Sequence, residues 1–235
     1  MENTFIKGSR KITYYSTETN RPGRPILVIF HGAGFNKTPA KFKDKNLNVI
    51  ALMDTFGLEG KGSWYLGEKG DLFWIDAIKD LLEILKEKYE TDKVFFWGSS
   101  MGGYAAILHG YLNHVAAVYA NVPQTKLLGS TYIQHGKVDD VSMQDCIEYA
   151  IVNQNSPYND LSNIFNEKTD TIFFLTYNQL EGLNYFSEQG FPFLRKLHGI
   201  RQKFYLEVHP SSKHSIIYNI SESLNLFKKY IDMDE

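Results

Sequence analysis

The sequence lacks most features that mark secreted, membrane-spanning or nucleic-acid-binding proteins. Cys146 is the one cysteine among 235 residues, which excludes an internal disulfide. No run approaches the ~20 apolar residues of a membrane-spanning helix, and no apolar leader follows Met1. We therefore expect a cytoplasmic protein without an integral membrane segment. A net charge of -2 at pH 7 gives no basis for a nucleic-acid partner.

Signatures of bound cofactors and metals are also missing. Neither glycine-rich segment, 32–34 or 98–103, has the G-x-G-x-x-G spacing of a dinucleotide site or the lysine of a phosphate-binding loop. The seven histidines include no H-E-x-x-H pattern, and His209 and His214 are separated by a proline. The sequence therefore predicts no bound cofactor and no metal.

What the chain does have is an alternation of apolar runs and amphipathic segments. This alternation predicts an α/β protein with a mostly parallel sheet and right-handed crossovers. A short helical turn is expected at 38–42 and a final helix at 216–230. Alternation lapses between 123 and 168, which we interpret as a cap over one sheet edge. The six predicted parallel strands are 26–30, 48–53, 93–97, 115–119, 171–176 and 203–208.

Gly98-x-Ser100-x-Gly102 directly follows one of these apolar runs. This is the pattern of a nucleophile elbow, in which a sharp strand-to-helix turn exposes a serine hydroxyl. Glycine is required on both sides because Cβ atoms would collide where strand and helix crowd together. The pattern predicts that Ser100 is a nucleophile.

A serine hydroxyl needs a base, which is usually a histidine oriented by a carboxylate. His214 follows the last predicted strand on a loop long enough to reach Ser100, whereas His209 is fixed at the strand end. Glu181 is the one acid in the loop 177–182, which follows the strand 171–176, and is the predicted orienting group. The weaker candidates for that role are Asn178, Asn184, Asp139 and Asp140.

The segment His31-Gly32-Ala33-Gly34 ends an earlier strand and is the predicted oxyanion site. The N–H groups of Ala33 and Met101 would bind the charge that develops on an attacked carbonyl oxygen. Gly34 is an alternative to Ala33. We expect His31 to brace the loop or to contact substrate.

With these residues in place, the chain resembles the α/β-hydrolase superfamily over nearly its full length, as one domain with a small cap. Three further segments, 53–56 with 62–65, 98–103 and 121–127, are similar to bacterial capsular polysaccharide O-acetyltransferases and the glycan O-acetylating proteins of accessory secretion systems. That resemblance implies a serine acyl-enzyme and sugar-hydroxyl acceptors. It also implies that the acid can be glutamate, as at position 181.

The predicted activity is acyl transfer through an ester on Ser100. The acceptor is water in an esterase or a cell-surface polysaccharide in an O-acetyltransferase, with acetyl-CoA as the co-substrate of the latter. Beside the elbow, Asp54, Trp64 and Tyr65 are predicted to wall the cleft of this small ester or glycan substrate, and Asn121 and Gln124 are predicted to hydrogen-bond it. The alternative for Trp64 is that it packs beneath its loop. The alternative is a hydrolase-fold module that binds or assembles without catalysis. The sequence leaves the oligomeric state open.

Overall fold

Eight strands form one sheet in the computed structural model, which describes residues 1–19, 21–153 and 155–230. The remaining residues of the predicted domain and cap, 20, 154 and 231–235, lie outside the described residues. The strands are β1 (Glu2–Lys7), β2 (Arg10–Thr17), β3 (Ile26–Phe30), β4 (Asn48–Leu52), β5 (Val94–Ser99), β6 (Ala117–Asn121), β9 (Ile172–Asn178) and β10 (Phe204–His209), and β7 (Lys137–Val138) pairs separately with β8 (Val141–Ser142).

Helices connect these strands and cover the sheet. The α-helices are α1 (Phe73–Tyr89), α2 (Met101–Leu112), α3 (Thr131–His135), α4 (Met143–Ile151), α5 (Phe191–Gly199) and α6 (Ile220–Tyr230). Single 3₁₀ turns occur at Leu58–Gly60, Pro157–Asn159 and Leu161–Asn163, and a π-helical turn at Phe186–Gly190 leads into α5. Among the described residues, no helix is both long and apolar enough to cross a membrane.

The sheet order is β1-β2-β4-β3-β5-β6-β9-β10, and it is parallel from β4 onward, with β1 and β2 antiparallel at one edge. The predicted mostly parallel α/β sheet is therefore confirmed. Phe30 pairs with Gly98, and Ser99 pairs with Asn121 in the next strand. Because parallel strands end at the same edge, the loops after β3, β5, β6, β9 and β10 meet there.

The central strands β3 to β6 are buried at almost every position, as strands covered on both faces should be. One face of the sheet packs against α1, α2 and α5. The other face is covered by α6, whose Phe227 is fully buried and stacks on Phe95 at a ring separation of 5.4 Å. This two-sided core holds the strand ends in a fixed relation to one another.

The segment 123–168 adds no strand to the main sheet. It contains α3, the β7–β8 hairpin, α4 and two 3₁₀ turns. Its α4 end is tied to the loop 54–70 by backbone hydrogen bonds from Lys69 to Tyr149 and from Gly70 to Ala150. Tyr132, Lys137 and Met143 of this segment line a cleft at the carboxyl edge of the sheet.

Two predicted helix positions are wrong. Residues 31–47 contain no helix, and the predicted turn at 38–42 is irregular because Pro39 disfavours helical backbone at Thr38. The final helix begins at Ile220 rather than at 216. Asn219 and Glu222 exchange side-chain-to-backbone hydrogen bonds of 3.0 and 2.8 Å, which is a capping box that fixes the start.

Candidate active site

Ser100 lies at the turn between β5 and α2 with φ 54° and ψ -117°. A positive φ is uncommon for a residue with a side chain and is retained where surrounding structure holds it. A Cβ added at Gly98 would collide with the backbone of Gly102, and one added at Gly102 would collide with the carbonyl oxygen of Phe30. The glycine spacing in the sequence therefore reflects real crowding at this turn.

A continuous hydrogen-bond chain joins three side chains from three different loops. The Nε2 atom of His214 is 2.9 Å from the Oγ atom of Ser100. The Nδ1 atom of His214 is 2.5 Å from the Oε1 atom of Glu181. In this arrangement the imidazole can accept the serine proton on one nitrogen while the other donates to the carboxylate.

The carboxylate of Glu181 is shielded from water. Its side chain is 4 % exposed, and its Oε2 atom has no hydrogen-bond partner among the described residues. The rings of Tyr132 and Tyr185 lie 4.9 and 5.0 Å from the ring of His214. Burial, followed by the Glu181 charge, raises the pKa of Tyr132 to about 12, so its phenol stays protonated at neutral pH.

The candidates that compete with His214 and Glu181 have other contacts. His209 pairs with Glu207 at 3.1 Å on β10. Asp139 pairs with Lys61 at 2.8 Å, and Asp140 is exposed on the same turn. Among the described residues, neither aspartate contacts His214.

The two asparagine candidates do not contact the His214 ring either. Asn178 donates from Nδ2 to the backbone oxygens of Lys213 and Ser215, at 2.8 and 3.3 Å, so it holds the loop that carries His214. Asn184 is exposed and has φ 55°. Asn178 therefore orients the imidazole indirectly, through the backbone on either side of it.

The predicted oxyanion loop lies against the elbow. Gly32 and Ala33 line the same cleft as Ser99 and Ser100. Met101 is the first residue of α2, and an amide at that position has no acceptor within its own helix. Gly34, with φ 81°, is exposed at the tip of the loop.

His31 braces this loop rather than lining the cleft. Its Nε2 atom accepts from the backbone N–H of Asp54 at 2.9 Å, so the ring proton is on Nδ1, which donates to Gly32 at 2.9 Å. Burial lowers the pKa of His31, which keeps the ring neutral. The Tyr65 hydroxyl accepts from the His31 backbone N–H and donates to the carbonyl oxygen of Leu52.

Asp54 is an internal anchor of the loop 54–70. Its side chain is fully buried, and its carboxylate accepts from the backbone N–H groups of Ser63 and Tyr65 at 2.6 and 3.0 Å. The Ser63 hydroxyl lies 3.1 Å from both carboxylate oxygens. These hydrogen bonds fold the glycine-rich loop around the Asp54 carboxylate.

The prediction that several of these side chains wall the cleft is therefore wrong. Trp64, Tyr65, Asp54 and Asn121 are all fully buried. The amide of Asn121 accepts from the Thr176 hydroxyl and donates to the Tyr218 backbone oxygen, at 2.7 and 2.8 Å. The partners of Trp64, Tyr65 and Asn121 are distant in the sequence, whereas those of Asp54 lie in its own loop. In neither case does a local pattern show that the side chain turns inward.

Gln124 is also fully buried, but it touches the nucleophile. Its Nε2 atom is 3.2 Å from the Oγ atom of Ser100, and its Oε1 atom accepts from the Nε1 atom of Trp64 at 2.5 Å. The predicted contact with substrate is replaced in the structure by a contact with the predicted nucleophile itself.

The cleft has a volume of about 490 Å³, and several of its walls have no counterpart in the sequence motifs. Phe35 and Ile216 are respectively 62 % and 50 % exposed at its rim. Tyr132 interacts with the side chain of Ser100. The complete lining is Gly32, Ala33, Phe35, Ser99, Ser100, Val122, Tyr132, Lys137, Met143, His214, Ser215 and Ile216. The sequence offers one signal for two of these residues, which is that Phe35 and Ile216 lie within two residues of the predicted site residues Gly34 and His214.

Comparison with known proteins establishes the fold. No protein-family model and no curated protein sequence matches the chain. The capsule O-acetyltransferase of Neisseria meningitidis serogroup A is similar in structure, with a TM-score of 0.67, 17% identity and coverage of 97% of this chain and 91% of that one. Esterase B from Lactobacillus rhamnosis is also similar, with a TM-score of 0.64, 14% identity and coverage of 99% of this chain and 85% of that one.

The acylaminoacyl peptidase of Pyrococcus horikoshii has a TM-score of 0.67 and 14% identity over 92% of this chain. The chain spans only 37% of the length of that peptidase. These neighbours share the fold of this chain at low sequence identity. The chain has the α/β-hydrolase fold, as its motifs predicted.

Proposed function

We propose that this protein is a serine-dependent acyl-transferring enzyme that forms an acyl ester on Ser100. The observation that supports this most strongly is the hydrogen-bond chain from Glu181 through His214 to Ser100, which opens onto the cleft. The α/β-hydrolase fold hosts many chemistries, so the proposal rests on this geometry rather than on the fold.

In the first half-reaction, the Ser100 Oγ atom attacks the carbonyl carbon of an ester or thioester as its proton passes to His214 Nε2. The carbonyl electron pair moves onto oxygen, where the N–H groups of Ala33 and Met101 stabilise it. When this intermediate collapses, the bond to the leaving group breaks and His214 returns the proton to the leaving atom. The acyl group remains on Ser100. Glu181 stabilises the cationic imidazole between these steps.

In the second half-reaction, an acceptor hydroxyl gives its proton to His214 and attacks the acyl carbon. The bond to Oγ breaks, and Oγ recovers the proton. Water as acceptor gives an esterase, whereas a sugar hydroxyl gives an O-acetyltransferase with acetyl-CoA as donor. The structural neighbours include proteins with each of these two descriptions, an esterase and a capsule O-acetyltransferase.

The two acceptors are distinguished by supplying both donors and candidate acceptors. Purified protein is incubated with p-nitrophenyl acetate alone, and separately with acetyl-CoA and polysaccharides, with Ser100→Ala as the control. Acetate release without an acetylated glycan indicates the esterase. An acetylated glycan that forms faster than acetate is released indicates the transferase. Turnover by Ser100→Ala equal to that of the wild type contradicts both.

A further inference from the structure

Gln124 makes two hydrogen bonds to Ser100. Its backbone N–H donates to the Ser100 carbonyl oxygen at 3.3 Å, and its side-chain Nε2 atom lies 3.2 Å from the Ser100 Oγ atom. The side chain is fully buried, in the turn that follows β6. The Gln124 amide therefore contacts the same Oγ atom that is hydrogen-bonded to His214.

The direction of this hydrogen bond is set by Trp64. An amide side chain can present either its oxygen or its NH₂ group, whereas an indole N–H is only a donor. Because the Trp64 N–H points at Gln124, the amide oxygen must face the indole and the NH₂ group must face Ser100. Gln124 therefore donates to the Oγ atom and leaves the serine proton to His214.

Trp64 is itself held rigidly. It has φ 56°, and the residues on either side of it, Ser63 and Tyr65, both donate backbone N–H groups to the buried carboxylate of Asp54. The indole is fully buried. A path of fixed contacts thus runs from Asp54 through Trp64 and Gln124 to the nucleophile.

We propose that Gln124 is a further catalytic residue, whose side-chain N–H stabilises negative charge on the Ser100 Oγ atom, and that Trp64 is the positioning residue for its amide. This inference deepens the proposed function and rests on it for its role in turnover. The Oγ atom carries one proton and two lone pairs. In the resting state the proton is donated toward His214 Nε2 and one lone pair accepts from the Gln124 N–H. When the proton passes to His214, Oγ gains a third lone pair, so an electron pair is available to attack a carbonyl carbon while the Gln124 N–H stays in place.

The donor contributes at two points of the reaction. As the proton leaves for His214, negative charge grows on Oγ, and hydrogen bonds to charged oxygens are stronger than those to neutral ones. The same charge develops again when the acyl bond to Oγ breaks. Among the residues that the structure describes, the groups that face Oγ are His214, Tyr132 and Gln124, so this N–H is a donor beside the base.

The first test replaces Gln124 with methionine, which preserves length and removes the donor. We expect kcat for p-nitrophenyl acetate to fall by about 10- to 100-fold with KM changed less than about twofold. Gln202→Met is the matched control, because Gln202 is a buried glutamine whose amide, within the described part of the chain, hydrogen-bonds only to Thr169 and Thr171. Equal kcat in Gln124→Met and wild type overturns the proposal.

Trp64→Phe tests the positioning role separately. Phenylalanine keeps an aromatic ring at this position but lacks the N–H, so the Gln124 amide is free to turn its oxygen toward Ser100. We expect a smaller fall in kcat than for Gln124→Met, and no additional fall when the two substitutions are combined. If the fall in kcat of the double variant equals the product of the two single falls, Trp64 does not act through the Gln124 amide.

A second measurement needs no acyl substrate and separates this inference from the proposed function. In a Ser100→Cys variant, the pKa of the new thiol is measured from the pH dependence of its alkylation by iodoacetamide. Cys146 does not interfere, since burial raises its pKa to about 11. Adding Gln124→Met should raise the thiol pKa by about 1, because a donor to the thiolate is lost. An unchanged thiol pKa overturns the inference, whatever the wild type does with esters. If the pKa rises but wild-type protein never forms an acyl-enzyme, the proposed function fails and the donor contact stands.

Discussion

At the scale of single residues, the sequence indicated the candidate nucleophile, base and acid because each has a local reason to be where it is. Ser100 has two glycines that the turn requires, and His214 and Glu181 follow strand ends in an order that lets them meet. The roles of Trp64 and Gln124 were not predictable. Their partners are 60 and 24 residues away in the sequence.

Glu181→Gln tests the carboxylate. The amide keeps nearly the same shape but cannot stabilise the imidazolium, and it can leave His214 in the wrong tautomer. We expect kcat to fall by about 10³- to 10⁴-fold, as such exchanges do in related constellations. The control is Glu207→Gln, since Glu207 pairs with His209 on β10 rather than with His214. Steady-state kinetics with p-nitrophenyl acetate decide the matter, and a similar loss in both variants would argue against a specific role for Glu181.

At the scale of elements, the apolar runs predicted the strands well because a strand buried on both faces has a simple signature. Helix ends were harder to predict. The irregular path at 31–47 depends on Pro39 and on packing against the sheet, and the start of α6 depends on one capping box at Asn219. The loop 54–70 has no periodic sequence pattern, so its folding around Asp54 could not be predicted.

The elbow predicts a sharp contrast between two glycine substitutions. Gly98→Ala places a methyl group against the backbone of Gly102, so the turn between β5 and α2 cannot close. We expect a loss of at least ~2 kcal/mol in the free energy of unfolding, or no soluble protein. Gly199→Ala at the end of α5 is the control, because nothing lies within 4 Å of an added Cβ there. Urea denaturation measures both, and equal stability of the two variants would count against the crowded turn.

We expect a histidine buried inside α2 to make the stability of the protein sensitive to acid. His109 is fully buried, and burial lowers its pKa to about 4 from the usual 6.5. Its Nε2–H donates to the carbonyl oxygen of Tyr65, while Nδ1 has no partner among the described residues. As pH falls below about 6.5, the unfolded chain takes up a proton on this histidine before the folded chain does.

Stability is therefore lost as pH falls from about 6.5 to about 4, by ~3 kcal/mol from this group. His31, whose pKa is also lowered by burial, adds to the effect in the same direction. His109→Gln keeps a donor for Tyr65 but does not titrate, so its unfolding free energy should vary less over this range. Urea midpoints at pH 7 and pH 4.5 provide the comparison. The same pH dependence in variant and wild type would contradict a neutral, buried His109.

At the scale of the whole molecule, the fold was predictable because its parallel strands, its elbow and the order of its loops each have a local sequence pattern. The segment 123–168 is the part that sequence left vague. Its side chains reach the cleft through Tyr132, Lys137 and Met143, and no local pattern records where a cap lies.

The central claim is that Ser100 is an activated nucleophile. Labelling with a fluorophosphonate tests it most directly, because this probe reacts with activated serines without any knowledge of the substrate. We expect stoichiometric modification of the wild type, which peptide mapping assigns to Ser100. Labelling should be strongly slowed in His214→Ala and absent in Ser100→Ala. Wild-type protein that remains unlabelled, and that matches Ser100→Ala in every acyl assay, would contradict the account and indicate a hydrolase-fold module that binds without catalysis.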